Sequence, residues 1–66
     1  MITQADLLKE IESRIKRLTE LRDDQLLTFA TRRDEAARDT ALACNACVWE
    51  LYQLRNWIEE HATKHD

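Results

Sequence analysis

Residues 41–58, ALACNACVWELYQLRNWI, carry two apolar stripes at helical spacing, and their reading decides the fold. At about 100° per residue, Cys44, Cys47, Leu51, Leu54 and Ile58 fall on one face of a helix. Leu42, Ala46, Trp49 and Trp57 fall on another, roughly opposite. A helix in an isolated hairpin buries one such face, so the other is left for a partner.

The rest of the chain supplies the first partner. Thr3 followed by Asp6 is a weak variant of the capping box and starts a helix near Gln4. From there Leu8, Ile11, Ile15, Leu18, Arg22, Gln25 and Phe29 alternate steps of four and three, with Leu7, Leu21 and Leu26 widening the stripe. The phase survives the acidic pair Asp23 and Asp24, so the first helix is expected over residues 4–30. A turn over 31–34 follows, capped by Thr31 or Asp34, and then a second helix over 35–62. The competing layout bends the chain at Asp23 and Asp24, giving a short first helix and a long second one.

Pairing residues whose numbers sum to 65 or 66 tests the hairpin. It sets Phe29 near Ala36 and Ala37, Leu18 near Cys47, Ile15 near Leu51, Ile11 near Leu54 and Leu8 near Ile58. All of these pairs are apolar. The exposed faces offer Glu10 to Arg14, Glu12 to Lys16 and Asp34 to Arg38 at four-residue spacing, which supports helix.

Composition agrees with an all-α chain. The 66 residues contain no Gly and no Pro, which removes the usual residues of tight strand turns. Ten basic residues stand against 13 acidic, a net charge of −3, which disfavours a general electrostatic grip on nucleic acid or anionic membrane. No apolar run approaches the roughly 18 to 20 residues that span a bilayer, and the N-terminal stretch lacks a signal-peptide pattern. A cytoplasmic protein is expected, and its compactness suggests a bacterial or phage regulator. A single domain this short is marginal by itself, and self-association is the natural remedy. The expected architecture is a two-helix antiparallel hairpin dimerising into a four-helix bundle.

Cys44 and Cys47 form a Cys-x-x-Cys, but mid-helix rather than at a helix start after a strand, so core packing is preferred to a redox or zinc role. His61 and His65 stand four apart without a third ligand, which suits a solvated last turn. No cofactor and no metal are expected. Arg22 and Gln25 interrupt the first stripe, and Arg22 either forms a polar layer that fixes helix pairing or meets an acidic partner. Arg32, Arg33 and Arg38 gather near the turn with Lys16 and Arg17 further along, but Asp34, Glu35 and Asp39 interleave and weaken a nucleic-acid surface.

Leu42, Ala46, Trp49, Tyr52 and Trp57, with Arg22, Arg32 and Arg33, are the candidate interface residues. Trp and Tyr give large contact areas at small entropic cost and dominate interaction hot spots. The Trp49 stripe is either the seam of a homodimer, the preferred use, or a dock for a different protein. With no nucleophile and base pair, Gly-rich loop or inward carboxylate pair, enzymatic activity is not expected. The expected function is a non-enzymatic protein-binding module, a small dimeric adaptor or inhibitor that occludes another protein. The alternatives are an RNA-binding four-helix-bundle dimer and a secretion co-chaperone that binds through the Trp49 stripe.

Overall fold

Thr3 fixes the start of the first helix, α1 (Gln4–Arg32). Its hydroxyl accepts from the Asp6 N–H at 3.1 Å, and the Asp6 carboxylate accepts from the Thr3 N–H at 3.1 Å. Both bonds of the capping box are therefore made, so two N–H groups that the first turn leaves open are satisfied. The helix then runs unbroken through Asp23 and Asp24. The alternative layout with a bend there is excluded.

The turn is shorter than the expected 31–34. Thr31 stays helical and donates its hydroxyl to the Leu27 carbonyl at 2.8 Å, so it caps nothing. Arg33 ends α1 in the left-handed conformation, φ 53° and ψ 41°, and its N–H donates to the Phe29 carbonyl at 2.7 Å. Glycine usually takes this position, and a chain without glycine must hold a side chain there at some steric cost. Asp34 then opens α2 (Glu35–Thr63): its carboxylate accepts from Ala36 N–H at 3.0 Å and Ala37 N–H at 3.4 Å. Only Arg33 and Asp34 connect the helices.

The computed structural model describes residues 1–63, which form an antiparallel helical hairpin with extents of 52 by 18 by 13 Å. Three cross-hairpin contacts fix its register. Arg22 donates to the Asn45 side-chain oxygen at 2.9 Å, Arg55 approaches Glu12 at 3.9 Å, and the Arg38 guanidinium lies 5.9 Å from the Phe29 ring centre. In each pair the residue numbers add to 67, not 65 or 66. The offset follows from the turn, whose midpoint lies between Arg33 and Asp34 rather than at 32 and 33.

That shift rotates α2. Its inward residues are Ala37, Ala41, Cys44, Val48, Leu51, Arg55 and Ile58, with steps of three and four throughout. Ile11, Ile15 and Val48 make the buried centre, and Leu18, Leu51 and Ile58 pack against it. Near the turn the buried residues are the small Ala37 and Ala41 with Cys44, which lets the helices close together there. Cys47 and Leu54, expected inside, are exposed instead. The expected apolar pairs Leu18 with Cys47 and Ile11 with Leu54 are therefore not those of the folded chain.

The surface ion pairs also differ in part from expectation. Glu10 pairs with Arg14 at 3.1 Å as its spacing suggests. Glu12 turns across the hairpin to Arg55 rather than to Lys16, and Arg38 pairs with Glu35 at 3.4 Å and Asp39 at 3.7 Å rather than with Asp34, whose carboxylate is used in capping. No helix among the described residues is long and apolar enough to cross a membrane.

Candidate functional site

The second stripe of α2 lies outside the hairpin core. Leu42 is 60% exposed, Trp49 62% and Trp57 56%, while Ala46 and Tyr52 are also exposed. Leu42 and Trp49 are seven residues apart, close to two turns, and stand in line along the helix. Trp57 is eight residues beyond Trp49, which turns it about 80° further round, to the side that carries Glu50. The five residues are thus a broad flank rather than one line: Leu42 and Trp49 at its middle, Tyr52 at one edge and Trp57 at the other.

Both edges are held by neighbours. The Arg55 guanidinium carbon lies 5.0 Å from the Tyr52 ring centre, a cation–π contact that fixes the ring against the hairpin. Trp57 stacks on His61 with ring centres 4.1 Å apart and planes 27° from parallel, and a His61 ring nitrogen lies 2.8 Å from the Trp57 carbonyl oxygen. His61 is exposed in the last turn, as expected, and is also engaged by its own helix, while His65 lies outside the described residues. Trp49 has neither kind of tether among the described residues and presents its ring to solvent.

The three candidate arginines do not join this flank. Arg22 lies between the helices, with its side chain 27% exposed, bonded to Asn45 and paired with Asp23 at 3.2 Å. It forms a polar layer across the hairpin, opposite Asn45 rather than Cys44, where a sum of 66 would have set it. Arg32 ends α1 and Arg33 occupies the turn, both exposed and both at the closed end of the hairpin. Most other cations sit beside a carboxylate: Arg14 and Arg17 both face Glu10, at 3.1 and 3.8 Å, and Arg38 faces Glu35 and Asp39. Among the described residues no run of unopposed basic residues follows a helix.

Cys44 and Cys47 part company. Cys44 is buried in the hairpin and Cys47 is exposed. Among the described residues no three His, Cys, Asp or Glu side chains converge in a way that could hold a metal ion.

A second surface was not singled out from the sequence. On the side of the hairpin away from Tyr52, an open groove of about 660 Å³ runs between the helices. Leu18, Leu21, Cys47 and Leu51 line its floor and walls, with Arg14 and Arg17 on the α1 rim and Glu50 on the α2 rim, where Ala46 of the Trp49 stripe also borders it. Leu7 and Leu54 extend the same side by helical position, 46% exposed each. The signal was present as Leu7 and Leu21 widening the first stripe, but the assumed register turned Cys47 and Leu54 inward and hid the match between helices.

Among the described residues the buried Arg55 Nε has no hydrogen-bond partner. Arg55 occupies a core position of α2 and reaches out through Tyr52 and Glu12, so its charge is held at the surface while its stem packs inside. Comparison of the chain with protein-family models, with curated proteins and with solved structures finds no match.

Proposed function

We propose that this chain is a non-enzymatic protein-binding module, a small dimeric adaptor or inhibitor whose Leu42 and Trp49 flank seizes a surface on another protein. One observation carries the reading: Trp49 and Leu42 are more than half exposed and aligned on one helix, and Trp49 makes no ring contact or hydrogen bond among the described residues. Scattered exposed apolar residues are ordinary, but an aligned pair that includes an unsupported Trp is the usual anchor of an interaction hot spot. A Trp side chain has only two torsions to fix on binding, so its large contact area comes at small entropic cost.

The mechanism is occlusion. An apolar helix flank of this kind fits a groove or another amphipathic helix, and a target that needs that groove for its own assembly is blocked while the hairpin occupies it. The exposed helical face makes the contact by shape and apolar area, so affinity changes little with salt. RNA binding would require a continuous basic face and a steep salt dependence. The pairing of Arg14, Arg17, Arg22 and Arg38 with carboxylates favours the protein-binding reading.

Affinity capture from a host lysate with nuclease treatment tests this, using wild type beside Trp49→Ala. The expected result is a protein that survives nuclease treatment, is retained in 0.5 M salt, and is lost with Trp49→Ala. Material that disappears with nuclease, or that binds Trp49→Ala equally well, would reject the assignment.

A further inference from the structure

We infer that a second copy of this chain covers the grooved side of the hairpin, the side of Leu7, Leu18, Leu21, Cys47, Leu51 and Leu54, and that the Leu42 and Trp49 flank stays outside the resulting bundle. This deepens the dimeric part of the proposed function, and it rests on that reading only for the idea that the chain self-associates.

The argument begins with spacing. Leu7, Ile11, Arg14, Leu18 and Leu21 on α1 advance by four and three, and so do Cys44, Cys47, Leu51, Leu54 and Ile58 on α2. In each series alternate members face the other helix of the hairpin: Ile11 and Leu18, then Cys44, Leu51 and Ile58, are buried or half-buried. The intervening Leu7, Arg14, Leu21, Cys47 and Leu54 lie exposed on one common side, and the Arg14 charge is met by Glu10 at 3.1 Å. A helix of a four-helix bundle must satisfy two neighbours, and a stripe half spent within the hairpin and half open on one side has that form.

The available area is sufficient. Two 29-residue helices are each about 43 Å long at ~1.5 Å per residue, and side by side at about 10 Å each they offer roughly 870 Å². A stable interface needs about 800 Å² from each partner.

Charge then selects how the copies sit. The register that pairs Arg22 with Asn45 and Glu12 with Arg55 also sets Arg17 level with Glu50. Two copies can lie face to face with both turns at the same end, related by a two-fold axis parallel to the helices. Each α1 then lies over the α2 of the other copy, and Arg17, which has Glu10 at 3.8 Å in its own chain, stands over Glu50, twice by symmetry. If the turns lie at opposite ends, full overlap brings Arg17 close to Arg17 and Glu50 close to Glu50. Like charges at close quarters disfavour that arrangement. Glu50 has no ion pair with the described residues of its own chain, so its carboxylate is available for the contact.

In this arrangement every neighbouring pair of helices is antiparallel, and the groove is filled by the corresponding leucines of the other copy. Leu42 and Trp49, on the far flank of α2, remain open. Trp57 sits at the rim.

Sedimentation equilibrium from 1 to 100 µM tests the seam, on wild type, Leu21→Glu, Leu54→Glu and Trp49→Ala. Leu21 and Leu54 are already 44% and 46% exposed in a single hairpin, so the variants should keep their helices, which far-ultraviolet circular dichroism verifies. Wild type and Trp49→Ala are expected to be dimers. The two Glu variants are expected to weaken dimerisation at least 100-fold. Arg17→Glu or Glu50→Arg alone should weaken it roughly fivefold at low salt, and the two together should restore it. A monomeric wild type, or a dimer lost in Trp49→Ala but kept in both Glu variants, would overturn the seam. Absence of rescue in the double charge reversal would overturn the arrangement with both turns at one end. Failure to capture a target through Trp49 bears on the proposed function alone and leaves these outcomes unchanged.

Discussion

Val48 is 4% exposed and Leu42 60%, so the smaller side chain holds the hairpin and the larger one does not. Val48 belongs to the buried cluster with Ile11 and Ile15, and trimming it to Ala removes about two methylene equivalents of buried surface and leaves a void. Val48→Ala is expected to lower stability by about 2 kcal/mol, and Leu42→Ala by less than about 0.5 kcal/mol. Urea unfolding followed by circular dichroism measures both. Equal losses would mean that Leu42 is as buried as Val48, contrary to the fold described. Arg55 shows the same separation of position from chemistry. It occupies a core position in the sequence repeat, yet its charge leans out to Tyr52 and Glu12.

At the scale of the elements, the ends of the helices hold the most readable and the least readable features. Thr3 and Asp6 lie three apart, and both capping bonds form as that spacing implies. The Thr3 backbone N–H, and then its hydroxyl, hold the Asp6 carboxyl below its ordinary value of 3.8. Because the folded value is depressed, the stabilisation is fully present above pH 3.8 and is lost as the pH falls through the lower folded value. Fraying of the first turn on acidification, seen as a loss of amide protection near Asp6 relative to the intrinsic exchange rate at each pH, is expected in the wild type. Asp6→Asn should lack that acid step. An acid step of equal size in both would assign it to another carboxylate.

The other end of α1 was harder to read. Thr31 and Asp34 are both good caps by residue type, and only Asp34 is used. The one-residue displacement of the turn midpoint changed the register by enough to exchange Cys47 and Leu54 for Val48 and Arg55 on the inner face. Both choices are regular repeats sharing Cys44, Leu51 and Ile58, and hydrophobicity alone favoured the one without an arginine. What separated them was packing: small Ala37 and Ala41 close the helices near the turn, and Val48 completes the layer with Ile11 and Ile15. Helix lengths, their antiparallel pairing and the exposure of Leu42 and Trp49 were legible because they rest on long periodicity. The groove beside Cys47 was not, because it depends on register. Arg33 carries a related prediction. Its left-handed backbone suits glycine, so Arg33→Gly should raise stability by up to about 1 kcal/mol, read from the same urea curves. A loss instead would mean that the Arg33 side chain contributes to the turn.

For the whole molecule, the hairpin buries only one layer. Its core is Ile11, Ile15 and Val48 with half-buried Leu18, Leu51 and Ile58, while Leu7, Leu21, Leu54, Leu42 and Trp49 remain at the surface. A chain of this size that keeps so much apolar surface open is stabilised by anything that covers it. Assigning the grooved side to a second copy and the Trp49 flank to a target gives these two surfaces separate roles, and leaves Leu26 and Leu27 on α1 outside both. The most direct check is the mass of the wild-type chain in solution at tens of micromolar, with Trp49→Ala run beside it. The account predicts twice the 7.8 kDa chain mass for both. A wild type of 7.8 kDa, or a Trp49→Ala variant that alone falls to 7.8 kDa, would contradict it.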